Sequence, residues 1–309
     1  MSGIIEQTDL NDFTEQFLQL FRAAAPERSK ELDALLGGEK NLILRGSDQV
    51  GFLMESNRWF IRFTDRSLEA VRELAVTGAH AVEVYSGAIL AARVGLLDLS
   101  DIESADPNES AYVAALRHNI SEAIECLNSQ DVLQCKVIRP LNSGRMFELL
   151  AGDCVELAVA FVFLHELKHR IEEPLDTEEL EERRADEFAL NWLLGSAHTY
   201  AQECGHEIGK VVAKRGMGIA LAMFVIASLT SLRNSDGDPH PPPADRLRKL
   251  LETVSAASPG DTFFWDIAAS VIVGVLRTKG IQIAVDAKGV TDEELTIRLL
   301  NLLSEAALS

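Results

Sequence analysis

Apolar residues recur at helical spacing through most of the chain, and a few short stretches break that rule. Three-and-four spacing of leucine, alanine and valine runs over Leu10 to Ala25, Ser67 to Val94 and Glu109 to Leu127, which predicts amphipathic helices. Cys154 to Leu164 (CVELAVAFVFL) is apolar apart from one acid and contains no helix breaker, so a helix buried nearly all round is expected there. The next helix has its own punctuation: Asp176 or Thr177 as N-cap, Glu178 and Glu179 in the first turn, and Gly195 directly after Leu194. A proline run leads into another helix beginning near Ala244, and Thr291 with Glu294 forms a capping box for a last helix reaching about Leu303.

Where the period shortens, strands are expected. Asn41–Arg45, Val50–Met54 and Arg58–Phe63 are short, apolar and aromatic, with Gly46 and Ser56-Asn57 at the turns, and they predict a small antiparallel sheet. Ile281–Val285 reads as one more strand, and Ser100 to Asn108 as a loop. The expected fold class is therefore mainly α with a small antiparallel β-sheet, an α+β protein. A mostly helical region with that sheet would occupy residues 1–150, and a helical region bearing the chemistry residues 151–309.

Two apolar runs raise the question of a membrane. Gly216 to Leu232 has 17 uncharged residues between Lys214-Arg215 and Arg233, at the lower edge of what spans a bilayer. Ile267 to Leu276 is too short to bring the chain back, so a buried core helix is the favoured reading and a membrane partner is not expected. The opening stretch MSGIIEQTDLNDF is acidic and lacks an apolar core, unlike a secretory leader. A net charge of −19 gives nucleic acid or an anionic surface no electrostatic attraction. Cys126, Cys135, Cys154 and Cys204 show no CxxC spacing and read as reduced thiols of a cytoplasmic protein. Oligomeric state is not legible.

The candidate chemistry sits at His165-Glu166-Leu167-Lys168-His169. On a helix, positions i and i+4 lie one turn apart on the same face, so His165 and His169 can close on one metal ion. Two imidazoles and a third protein ligand leave a zinc ion, Zn2+, an open position for water, and Glu166 is placed to take that water's proton. The alternative, two core histidines satisfied by hydrogen bonds, leaves the neighbouring carboxylate unexplained. On the following helix, Ala185, Ala189, Trp192 and Leu193 form the apolar stripe, and extending it toward the N-terminus reaches Asp186 and Glu182. Those two acids point inward. Glu181, one turn before Ala185, competes with Glu182 as third ligand.

HELKH followed by Glu182-Arg-Arg-Ala-Asp186 resembles the gluzincin metallopeptidases. That resemblance implies a zincin-like core with His165, His169 and Glu182 as zinc ligands, Glu166 as general base and Asp186 as the carboxylate orienting a ligand histidine. A third stretch, Asp238-Pro-His240-Pro-Pro-Pro-Ala-Asp-Arg246, resembles the HPP-x-x-x-R segment of membrane-associated gluzincins and of the Lit-type phage-exclusion peptidases. Length and motif order favour the Lit-type group. The matching motifs span about residues 154–250. Two departures stand out: Lys168 where many relatives have glycine, and only 12 residues between His169 and Glu182, which demands a tight turn near Pro174.

His240, held at a helix entrance by prolines, could stabilise the oxyanion formed when water attacks an amide. It could equally be a rigid surface loop residue. His198 and Tyr200 are weaker candidates for that role, and none is expected for His206. Together these residues suggest a zinc-dependent endopeptidase acting on protein or peptide substrates, with a role in phage defence implied by the Lit-type likeness. A zinc-stabilised regulatory or binding module is the alternative, against which Glu166 counts.

Overall fold

A computed structural model of the protein describes residues 19–35, 44–46, 54–56, 61–128, 145–172, 177–230, 243–257 and 263–307. Helices dominate them: α1 (19–24), α2 (Ser29–Leu35), α3 (Asp65–Arg93), α4 (Ile102–Ala105), α5 (Glu109–Asn128), α6 (Arg145–Ile171), α7 (Glu178–Leu194), α8 (Ala197–Cys204), α9 (Ile208–Thr230), α10 (Pro243–Ala257), α11 (Phe263–Thr278) and α12 (Asp292–Ala307). Polar caps mark several starts. Thr64 accepts from the Ser67 amide at 3.0 Å, Thr177 from Leu180 at 3.3 Å and Thr291 from Glu294 at 3.1 Å, each relieving an orphan amide of a first turn.

The apolar runs become the centre of the molecule. α6 lies against α3, α7 and α9, while α11 packs on α3, α9 and α12. One buried hydrophobic cluster runs continuously from Phe21 to Leu303, with Phe161 and Phe163 of α6, Trp192 of α7 and Phe224 of α9 among its largest members. α3 and α9 are long and apolar enough to cross a membrane by length and composition, and 89% of the α9 window is covered by the rest of the protein. Most of the apolar surface of α9 is thus buried against the other helices.

Close helix approach depends on missing side chains at two points. A Cβ on Gly218 of α9 would meet the Leu157 Cβ of α6 at 2.3 Å, and one on Gly274 of α11 would meet the Ala81 Cβ of α3 at 2.6 Å. The first contact seats the motif-bearing helix. A buried ion pair secures the end of α7: Arg215 donates to both oxygens of Glu27 at 2.7 and 2.9 Å and to the Leu193 carbonyl at 2.6 Å. Beside it the Arg28 guanidinium lies 4.0 Å over the Trp192 ring, a cation–π contact.

The α+β expectation is corrected by these packing relations: the fold is all-α, because helices alone form the layers of the core. The extended segments among the described residues are three residues long, β1 (Leu44–Gly46), β2 (Met54–Ser56) and β3 (Ile61–Phe63). They pair in the order β1-β3-β2, with β2 antiparallel and β1 parallel to β3, so a short mixed ribbon stands in place of the expected antiparallel sheet. Three-residue segments are too short to act as a layer. Two smaller expectations also fall. Residues 281–286 are irregular rather than a strand, and the stretch read as a loop contains a 3₁₀ turn at Leu99–Asp101 followed by α4. Leu99 and Ile102 are buried there, and that apolar anchoring is what the polar composition concealed.

Gly218→Ala should lower stability by about 1–3 kcal/mol through overpacking of α6 on α9. Gly87→Ala, at a helical position with nothing within 4 Å, should be neutral or stabilising by up to about 1 kcal/mol. Denaturant unfolding of both variants measures the difference, and equal midpoints would contradict the close-approach account.

Candidate metal centre

Three helices supply the site. α6 presents His165 and His169 on one face, α7 presents Glu182 and Asp186 one turn apart on its inward face, and α10 contributes Arg246. His165, Glu182, Asp186 and Arg246 are buried, while Glu166 and His169 are half-buried, so the centre lies at the edge of the core.

The two imidazole nitrogens and the two carboxylate oxygens of Glu182 converge, so that the three residues make a triangle of possible ligands. His165 Nε2 lies 3.2 Å from His169 Nε2 and 3.1 Å from Glu182 Oε2, and His169 Nε2 lies 3.2 Å from Glu182 Oε1. Ligands about 2.0–2.1 Å from a tetrahedral ion are about 3.3 Å apart, so these three residues fit one face of such a coordination shell. They could hold a metal ion.

Asp186 decides which histidine nitrogen faces the triangle. Its Oδ1 is 3.0 Å from His165 Nδ1, and a carboxylate accepts, so Nδ1 is the donor and Nε2 of the neutral ring keeps its lone pair for a cation. Arg246 grips the same carboxylate from the other side, Nε to Oδ2 at 2.6 Å and Nη2 to Oδ1 at 2.5 Å. Burial opposes the charged form of Asp186, but Arg246 and His165 outweigh it and hold its carboxyl below the usual range. Burial likewise disfavours the Arg246 cation, and Asp186, with Glu182 and Glu166, overcomes that cost. At His165 burial would lower the imidazole pKa, yet hydrogen bonds and charge from Asp186 and Glu182 push it up to about 10. The pocket attracts positive charge.

The expected residues distribute as follows. His165, His169 and Glu182 come together, Asp186 bonds to His165, and Glu166 stands on the same turn as His165. Glu181 is half-buried and outside the group that could hold a metal ion, whereas Glu182 is within it. His240 and Pro174 lie outside the described residues. Tyr200 engages His206, with ring centroids 5.7 Å apart, and Arg215, while His198 bonds to Gln202 at 2.9 Å, so both find partners elsewhere. Lys168 is accommodated at the edge, its ammonium 3.1 Å from Glu172 and 5.4 Å from the Phe188 ring centre. Cys126, Cys154 and Cys204 are free thiols outside the donor group, and Cys135 lies outside the described residues. Arg246 was not singled out from sequence for a role, although it closes the HPP-x-x-x-R stretch.

A two-helix imidazole–carboxylate centre on an all-helical scaffold is thus the structural class. Sequence comparison narrows it: the profile of the family Peptidase U49 matches residues 61–268, two thirds of the chain and the whole donor group, and the chain belongs to that family, the Lit-type peptidases. The protein is accordingly a peptidase, a hydrolase with protein substrates. No curated protein and no solved structure matches the chain.

The His165 assignment has a pH consequence. An unfolded histidine titrates near 6.5 and the folded one at about 10, so protonated His165 stabilises the metal-free fold fully below pH about 6.5. That contribution disappears as pH rises through about 10. Metal-free wild type should therefore lose Tm across this window by more than metal-free His165→Gln. Parallel Tm profiles for the two proteins would contradict the assignment.

Proposed function

We propose that the protein is a zinc-dependent endopeptidase of gluzincin type, in which His165, His169 and Glu182 hold the ion, Glu166 is the general base and Asp186 orients His165. The observation that supports this most is the convergence of His165 Nε2 and His169 Nε2, 3.2 Å apart, each within 3.2 Å of one Glu182 carboxylate oxygen. Two imidazole nitrogens with one carboxylate, and no sulfur, suit zinc and leave an open coordination position. When bound, such an ion acidifies a coordinated water and polarises the scissile carbonyl.

The chain's own residues do the rest. Glu182 supplies one negative charge to the ion, and His165 is kept in its binding tautomer by Asp186. Glu166, half-buried beside His165, accepts a proton from the attacking water and delivers it to the leaving amine. A carboxylate in that position has no use in a purely structural metal site, which favours hydrolysis over a binding module. The proposed function extends to a protein substrate in the cytoplasm and to a part in phage exclusion, as the Lit-type resemblance of the motifs implies.

Glu166→Gln should retain stoichiometric zinc and the wild-type fold while losing about 10²–10⁴ in kcat on a cleavable protein, because an amide cannot accept the proton. Metal analysis together with a cleavage screen on cell lysate, wild type against variant, makes the comparison. Full activity in Glu166→Gln would reject the mechanism, and loss of zinc would make Glu166 structural.

A further inference from the structure

Arg246 is buried, 8% exposed, and spends two nitrogens on one carboxylate. A buried arginine–aspartate pair contributes little net stability compared with apolar side chains of similar size, so scaffold strength is a weak reason for its presence. The geometry offers a better one. Asp186 Oδ1 serves both Arg246 Nη2, at 2.5 Å, and His165 Nδ1, at 3.0 Å. A single hydrogen bond from an imidazole leaves the carboxylate plane free to turn. The side-on fork of a guanidinium fixes that plane, which an ammonium cannot do.

We infer that Arg246 is a positioning residue of the metal centre: by clamping Asp186 it aims the His165 ring, so that α10 sets the orientation of a ligand carried on α6. The inference rests on the proposed role of His165 as a metal ligand. Charge adds a second reason. The carboxylates of Asp186, Glu182 and Glu166 all act on Arg246. Cancelling the charge of Asp186 leaves Glu182 as the anionic donor of the triangle and keeps Asp186 from turning toward the ion.

A cavity of about 340 Å³ opens beside this pair, lined by Asp186, Arg246, Phe161 and Met223 and reaching the exposed Arg183 and Lys249. A small cation can therefore reach Asp186 when the arginine side chain is cut back. That access allows the role to be tested by chemical rescue.

The test uses the full chain as wild type, Arg246→Ala, Arg246→Lys, Asp186→Ala and the Arg246→Ala/Asp186→Ala double variant. Zinc affinity is measured by chelator competition, and the visible spectrum of the cobalt(II) form reports ligand geometry independently of activity. Loss of an outer-shell partner typically costs about 10–100-fold in metal affinity, and Arg246→Ala should fall in that range. Millimolar guanidinium should restore most of the loss and ammonium should not. Arg246→Lys should remain impaired with an altered cobalt spectrum, and it carries the test if the alanine variant does not fold. The double variant should bind zinc no more weakly than Asp186→Ala, because Arg246 acts through that residue. Unchanged affinity in Arg246→Ala, full affinity in Arg246→Lys, or penalties that multiply in the double variant would overturn the inference while leaving the zinc site standing. Failure of the wild type to take up zinc would overturn both.

Discussion

The carboxylate of Asp186 is the point on which the centre turns. It is buried among apolar helices, where an unpaired charge would cost several kcal/mol, and it is paired on both sides, by His165 of α6 and Arg246 of α10. Those partners stand 21 residues before it and 60 after it. Three helices are thereby tied at one group, so the carboxylate is comfortable only when the donor triangle is assembled beside it. The shared carboxylate links residue roles that look separate along the chain.

The scaffold supports this by rigidity rather than by size of cavity. His165 and His169 sit near the C-terminal end of a 27-residue helix that packs on α9, and that contact is close because position 218 has no side chain. A pair of side chains on a packed helix is held more firmly than it would be on a loop. Glu27 and Arg215 do similar work at the far end of α7, holding the helix that delivers Glu182 and Asp186. The half-burial of His169 and Glu166 leaves the centre reachable from one side, as a peptidase acting on protein chains needs.

Much of the centre was legible in the sequence because its parts are periodic. The spacing of His165 and His169 and the inward stripe ending at Asp186 and Glu182 are one-dimensional patterns that a helix converts directly into geometry. Arg246 was not legible in the same way: its partner is set by how α10 packs on α7, and a lone arginine after prolines carries no sign of it. The small sheet was over-read for a related reason. Short apolar and aromatic runs of five or six residues around 41–63 satisfy a strand template, but a layer needs longer strands, and the apolar mass of α6, α9 and α11 outweighs them. The strand expected at 281–285 failed likewise, since Ile283 is buried as part of an irregular connection.

The central claim is that two histidines and one glutamate, and no thiol, bind a single zinc ion. X-ray absorption of the zinc-loaded protein tests it most directly. The account predicts one zinc per chain with only nitrogen and oxygen neighbours at about 2.0–2.2 Å and the multiple-scattering signature of two imidazoles. A sulfur neighbour at about 2.3 Å, or fewer than two imidazoles, would contradict it.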